Sequence, residues 1–115
     1  MRVEVDRSKW RRGGSAYPQD GTTRLKNERG LKCCLGFATE QSGVSLVRVG
    51  WFREIMFTYP SELRDCRLSW LIELEIAASE INDAKRLSDA TREKRLSSLF
   101  AEHGHEMVFV GEYRE

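Results

Sequence analysis

The sequence predicts an α+β domain in which short strands at the two ends of the chain share one sheet and pack against about three helices. Three observations predict it: apolar and polar residues alternate at the start, apolar residues recur at helical spacing in the second half, and a short apolar run stands near the end. Strands at the two ends with helices between them are typical of the α+β class.

The first strand is predicted over residues 2–6. Val3 and Val5 fall on one side of this segment and charged residues fall on the other, which is the pattern of a half-buried strand. The residues that follow can begin a helical turn that carries Trp10. Gly13-Gly14-Ser15 then ends any regular structure.

A long loop is predicted from there to Gly30, because turn-forming residues such as Pro18 and Asp20-Gly21 recur along it. Loops of this length inside a compact domain are often functional. Charge is also distributed unevenly along the chain: residues 1–32 hold nine basic side chains against four acidic ones, whereas the remainder holds ten against fourteen. A segregated basic segment attracts phosphate or an acidic partner.

The first helix is predicted from Lys32 to Gly43, which ends it. Its apolar face comprises Cys34, Leu35, Phe37 and Ala38. A glycine inside a helix costs about 1 kcal/mol relative to alanine, so Gly36 marks a close backbone contact with another element or a ligand. Residues 44–60 are rich in apolar and aromatic types without a clean period, and no element is assigned to them.

The second helix is predicted over residues 69–82, with Asn82-Asp83 at its end. We place Trp70, Leu71, Leu74, Ala77, Ala78 and Ile81 on its inward face and Glu73, Glu75 and Glu80 on its polar face.

A third helix over residues 90–103 begins at Ser88 or Asp89 and ends at Gly104. Its inward side chains are Leu96, Leu99 and Phe100. The run 106–110 predicts a strand buried on both faces.

The composition predicts one domain spanning residues 1–115, with the basic loop 11–32 within it. The chain has 115 residues, of which 40% are hydrophobic and 32% charged, enough for one core. Its net charge of +1 argues against a general nucleic-acid binder. No apolar run reaches the roughly 20 residues of a membrane helix and the first residues lack a signal-peptide pattern, so we expect a cytoplasmic protein with no membrane partner.

The adjacent thiols of Cys33 and Cys34 are one candidate for chemistry. They stand at a predicted helix start, where the helix dipole lowers a thiol pKa, and His103 or His105 could act as a base. The alternative is that both cysteines pack as small hydrophobic residues. An odd count of three cysteines favours reduced thiols. Adjacent cysteines lack the ligand spacing of a zinc site, so we predict no metal, and no cofactor.

The segment Trp10-Arg11-Arg12-Gly13-Gly14 is the strongest candidate for a binding site. An indole beside two guanidinium groups can stack a planar ring and hold a phosphate. The alternative is that the tryptophan belongs to the core. This hypothesis requires the basic side chains to gather around one hollow, rather than each to pair with its own carboxylate.

Two further pairs complete the predicted ligand-binding set. Arg24 and Lys26 come from the basic loop. Asn82 and Asp83 have short, directional side chains that could contact ribose hydroxyls or a base edge, although Asn-Asp is also a common helix stop. No residue is predicted to be catalytic.

Five segments of the sequence form a recognisable set of motifs: Trp10-x-Arg12-Gly13, Lys32-Cys33-Cys34-Leu35-Gly36-Phe37, Ile81-Asn82-Asp83, Arg92-Glu93 and the Val-Phe-Val strand. This set of motifs resembles that of a group of small uncharacterised proteins encoded by phages and prophages. The resemblance implies a context in which small accessory proteins modify or block host machinery, including immune systems.

These observations lead to three functional hypotheses. The first is a non-enzymatic phage accessory protein that binds a phosphorylated small molecule, such as a nucleotide signal, and so antagonises host defence. The second is an inhibitor that binds a host protein through its polarised surface or the aromatic stretch from Trp51 to Tyr59. The third is a cysteine-dependent enzyme. The sequence leaves open whether the chain forms a homo-oligomer.

Overall fold

The computed structural model describes residues 1–14, 25–27, 29–43 and 69–114, and within them it confirms the α+β class. These residues form three helices and two strands, together with one short 3-10 turn. In chain order the elements are β1 (Arg2–Asp6), the 3-10 turn (Arg7–Lys9), α1 (Cys34–Gln41), α2 (Ser69–Asp83), α3 (Asp89–Glu102) and β2 (Glu106–Val110). Arg24, Cys66 and the stretch 44–60 lie outside the described residues.

The two terminal strands form one parallel sheet, as expected. The register pairs Arg2 with Glu106 and Asp6 with Val110. One face is buried by Val3, Val5 and Met107. On the opposite face, Arg2 and Glu4 of β1 are exposed, and so are Glu106 and Val110 of β2. The prediction that the last strand is buried on both faces is therefore wrong.

The outer edges of this sheet are capped by side chains. The Gln41 amide accepts a hydrogen bond from the Glu4 backbone N–H at 2.8 Å and donates one to the Glu4 carbonyl at 2.7 Å. On the other strand, the Ser97 hydroxyl donates to the Met107 carbonyl at 3.0 Å. Such caps occupy backbone groups through which an edge strand pairs with another chain.

Helix α1 confirms both inferences drawn from its glycines. Gly43 lies just beyond the last turn and has a φ of 92°, a backbone conformation that favours glycine. A Cβ on Gly36 would lie 1.8 Å from the Leu25 carbonyl oxygen, so the predicted close approach is that of the loop backbone. The apolar face is buried as predicted at Cys34, Leu35, Phe37 and Ala38.

Helices α2 and α3 occur where the periodicity places them, and Ser88 caps α3 by accepting a hydrogen bond from the Thr91 N–H. The buried stripe of α2 comprises Leu71, Leu74, Glu75, Ala78 and Asn82. Two assignments are wrong, since Glu75 is buried and Ala77 is exposed. The physical reason is that α2 packs against α1 as well as α3, which rotates its buried stripe.

The main core joins β1, α1, α2, α3 and β2. Its largest fully buried side chains include Trp10, Phe100, Leu25, Leu35, Leu71 and Leu96. No helix in the described residues is long and apolar enough to span a membrane.

Candidate functional site

The side chain of Asn82, in the last turn of α2, binds three separate parts of the chain. Its Oδ1 accepts hydrogen bonds from the Trp10 indole Nε1 at 2.8 Å and from the Cys34 backbone N–H at 3.1 Å. Its Nδ2 donates to the Arg11 carbonyl at 3.0 Å and to Asp83 Oδ1 at 2.9 Å. A carboxamide has two donor hydrogens and two lone pairs. All four are used within the protein.

The backbone after Trp10 lies between the end of α2 and the start of α1. On one side, the Arg11 N–H donates to the Lys32 carbonyl at 2.8 Å, and on the other, the Gly13 N–H donates to the Asn82 carbonyl at 2.7 Å. Gly14 approaches α2 so closely that a Cβ would lie 2.8 Å from the Asp83 carbonyl oxygen. This segment is therefore part of the packed interior.

The structure brings together five of the seven residues that the sequence predicts for ligand binding: Trp10, Arg11, Arg12, Asn82 and Asp83. Trp10 is fully buried and Arg11 is 2% exposed. Their positions agree with the alternative, in which the tryptophan belongs to the core. Lys26 is half-buried. As ligand-binding residues all seven stay a prediction.

Arg12 forms a two-pronged ion pair with Asp89 at the start of α3. Its Nε and Nη2 donate to the two carboxylate oxygens at 2.9 and 3.0 Å, and Arg92 donates to the same carboxylate at 2.7 Å. The hydrogen bonds from Arg12 lower the pKa of Asp89, although burial opposes the shift, and the charges of Arg12 and Arg92 lower it further. Asp89 is thus held ionised by two guanidinium groups.

Other basic side chains also have carboxylate partners. Arg7 binds Glu93 through two hydrogen bonds of 2.9 and 2.8 Å. Lys32 lies 2.6 Å from Glu40, and Arg2 lies 3.1 Å from Glu106. In these pairs each basic residue has its own carboxylate partner. Sequence reasoning did not find them, because Arg12 and Asp89 are 77 positions apart and Arg7 and Glu93 are 86 apart.

A second site, absent from the sequence prediction, surrounds the ring of Tyr113 near the C-terminus. The Arg12 guanidinium carbon lies 4.5 Å from the centre of this ring, and that of Arg7 lies 5.5 Å from it. The rings of Trp10 and Tyr113 are stacked with their centres 6.4 Å apart. The tyrosine hydroxyl donates a hydrogen bond to Glu93. We call the four residues around Tyr113 (Arg7, Trp10, Arg12 and Glu93) the tyrosine cradle.

The two adjacent cysteines are buried, with Cys33 5% exposed and Cys34 fully enclosed. Burial raises the pKa of the Cys33 thiol from its ordinary 9.0 to about 12 and also raises that of Cys34. The lowering expected from the helix start is therefore wrong. Desolvation of a thiolate here outweighs the favourable amide dipoles.

The two histidines have partners of their own. His103 is exposed, and its Nδ1 lies 3.0 Å from the Leu99 carbonyl oxygen. His105 stacks on Trp70 with ring centres 3.8 Å apart. Within the described ranges, no three His, Cys, Asp or Glu side chains lie close enough to hold a metal ion.

The outward surface of α2 combines an apolar centre with acidic flanks. Ile76 is 64% exposed, and its neighbour Ala77 is also exposed. Glu73 and Glu80 lie one turn before and one turn after them on the same side of the helix. We call Glu73, Ile76, Ala77 and Glu80 the acidic face of α2.

Comparisons with protein-family models, with curated proteins and with solved structures find no match for this chain.

Proposed function

We propose that this chain is a non-enzymatic accessory protein of the kind that phages and prophages encode, and that it binds a host defence or regulatory protein in the host cytoplasm. The observation that carries this proposal is the exposure of Ile76 at the centre of the acidic face of α2. Protein interfaces place an apolar anchor at the centre of a polar rim, which is the arrangement on this face.

The charges on this face define the partner. Glu73 and Glu80 carry negative charge on either side of the apolar pair. Complementary potentials guide association and exclude wrong partners. The matching surface is therefore an apolar pocket, wide enough for an isoleucine side chain, with lysine or arginine at its rim.

The experiment compares tagged wild-type protein with Ile76→Arg and with a matched control, Ala101→Arg. Ala101 is also an exposed helical residue, but it lies on α3. After pull-down from host lysate, we expect one stoichiometric partner with wild type and with Ala101→Arg, and its loss with Ile76→Arg. Retention of the same partner by Ile76→Arg would refute the assignment of this face, and recovery of no partner would refute the function.

The charged rim gives a second, kinetic readout with the purified partner. We expect Glu73→Lys with Glu80→Lys to slow association by about tenfold at low salt and to have less effect at high salt. Association rates that are unchanged at low salt would show that the acidic flanks do not face the partner.

The alternative function, binding of a phosphorylated small molecule, is favoured by the convergence of Trp10, Arg12 and Asn82. In this alternative a phosphate must replace Asp89 on Arg12, because that carboxylate already binds the guanidinium fork. Calorimetric titration of nucleotides into wild type and Arg12→Ala tests it. Heat of binding with wild type alone would favour the small molecule, and no heat with either protein would eliminate it.

The third hypothesis, a cysteine-dependent enzyme, receives no support from the buried thiols. Burial raises the pKa of Cys33 and Cys34, so both are protonated near neutral pH. A protonated thiol is a poor nucleophile. Loss of the biological effect in Cys33→Ala or Cys34→Ala, with the fold intact, would restore this hypothesis.

A further inference from the structure

The segment that follows β2 is attached to the domain mainly by side chains. We call Gly111–Arg114 the tail. Arg7 Nη1 donates to the Gly111 carbonyl at 2.9 Å, and Arg114 Nη1 donates to the Ser8 carbonyl at 3.0 Å. Among the described residues, no backbone-to-backbone hydrogen bond holds Glu112 or Tyr113. The tail can therefore leave without breaking the β2 ladder.

The walls of the tyrosine cradle do not depend on the tail. Its two guanidinium groups are fixed by carboxylates of α3: Glu93 binds Arg7, and Asp89 binds Arg12. The third wall, the Trp10 indole, is fixed by Asn82. Bidentate ion pairs restrict a guanidinium group in both position and plane. The cradle should therefore keep its shape when Tyr113 is absent.

Each part of the Tyr113 side chain has a matching contact. The face of its ring lies against Arg12 and is stacked with Trp10, and its hydroxyl donates to Glu93. Cation–π contact and stacking select an aromatic ring, and the carboxylate acceptor selects a ring that carries a donor. A phenol meets all of these requirements.

We propose that the tyrosine cradle is a recognition site for a tyrosine-bearing, extended segment of another polypeptide, and that the chain's own tail occupies it until such a segment replaces Tyr113. Gly111 has a φ of 78°, a conformation that favours glycine, and it forms the turn between β2 and the tail. When the tail leaves, Arg7 Nη1 becomes free for a carbonyl two residues before the incoming tyrosine, as it now binds Gly111. This site is separate from the acidic face of α2.

The experiment uses the full chain with Tyr113→Ala, which leaves the cradle open. The probe is the hexapeptide Val-Gly-Glu-Tyr-Arg-Glu, which repeats residues 110–115. A second peptide with alanine in place of tyrosine is the control. Binding is measured by calorimetry and by the indole N–H resonance of Trp10, which reports on the cradle directly.

We expect the tyrosine peptide to bind Tyr113→Ala with a Kd of about 1 mM or below. It should bind wild type about tenfold more weakly, because the attached tail competes at high effective concentration. The alanine peptide should not bind. No binding of the tyrosine peptide to folded Tyr113→Ala, or equal binding of both peptides, would overturn the proposal.

A second variant covers the case in which Tyr113→Ala does not fold. Tyr113→Phe keeps the ring and loses only the hydroxyl contact with Glu93. Its tail should compete less well, so the tyrosine peptide should bind this variant several times more tightly than it binds wild type. Equal binding to Tyr113→Phe and wild type would contradict the proposal in the same way.

Discussion

The indole N–H of Trp10 donates a 2.8 Å hydrogen bond to Oδ1 of Asn82, a residue 72 positions further along the chain. The same oxygen accepts the backbone N–H of Cys34, the first residue of α1. One amide therefore joins the segment after β1, the start of α1 and the end of α2. In this fold Trp10 and Asn82, two of the residues that the sequence predicts for ligand binding, connect three parts of the chain.

Replacement of Asn82 by alanine should destabilise the protein by about 2–4 kcal/mol, because the buried Trp10 indole N–H and the Cys34 backbone N–H lose the acceptor that they share. Urea unfolding measures this directly. The control is Ser98→Ala at an exposed position of α3, which should change stability by less than about 0.5 kcal/mol. An equally small effect of Asn82→Ala would show that the hydrogen bonds of Asn82 contribute little to the free energy of unfolding.

Replacement of Gly36 by alanine tests the close approach between α1 and the loop. Helix propensity alone predicts that alanine stabilises a helix interior by about 1 kcal/mol. The structure predicts the opposite sign, since the new Cβ would lie 1.8 Å from the Leu25 carbonyl oxygen. We expect a loss of at least about 2 kcal/mol in unfolding free energy. A more stable Gly36→Ala variant would contradict this packing.

Local patterns in the sequence predicted the main elements but not all of their orientations. The alternation at Val3 and Val5 and the helical spacing around Leu74 identified β1 and α2 correctly. They could not place Glu75 and Ala77, which lie near the edge of the apolar stripe. Whether a residue at the edge of the stripe is buried depends on where the other helices pack, and the local sequence does not contain that information.

The thiols of Cys33 and Cys34 should be unreactive in the folded protein. Burial raises the pKa of Cys33 to about 12, so at pH 8 nearly all of it is the unreactive thiol. In a Cys66→Ser background, iodoacetamide should label both residues only at urea concentrations that unfold the chain. Labelling of the native protein at the rate of a free cysteine would be inconsistent with this structure.

The ion pair between Arg12 and Asp89 predicts a pH-dependent contribution to stability. The pKa of Asp89 is lowered from its ordinary 3.8, so the folded state binds fewer protons than the unfolded state just below that pH. The stabilisation is therefore complete above about pH 4 and is lost as the pH falls through the lowered pKa.

Unfolding of wild type and Asp89→Asn across pH 2–7 measures this contribution. At pH 7 the variant should be less stable by about 2 kcal/mol, because Arg12 and Arg92 lose a charged acceptor. The difference should shrink towards zero in acid, while other carboxylates titrate equally in both proteins. A difference that stays constant from pH 7 to pH 2 would exclude the ionised pair as its cause.

The candidate site was only partly predictable for a related reason. The sequence identified Trp10, Arg12 and Asn82 as residues that act together, and the structure places them in contact. Local patterns marked Asp89 only as a candidate helix start and did not single out Tyr113, since both residues reach Arg12 only through the tertiary fold. The local sequence around an arginine is the same whether its guanidinium group pairs with a carboxylate of the fold or binds a phosphate.

The central claim is that Trp10 is an interior residue fixed by Asn82, and its most direct test is hydrogen exchange of the Trp10 indole N–H, assigned by comparison with Trp10→Phe. We expect exchange about a hundredfold slower than for an exposed indole, which corresponds to an opening free energy of about 3 kcal/mol. We also expect this protection to be lost in Asn82→Ala and unchanged by added nucleotide. Rapid exchange in the wild type, or a Trp10 resonance that shifts on addition of adenosine monophosphate, would contradict the claim.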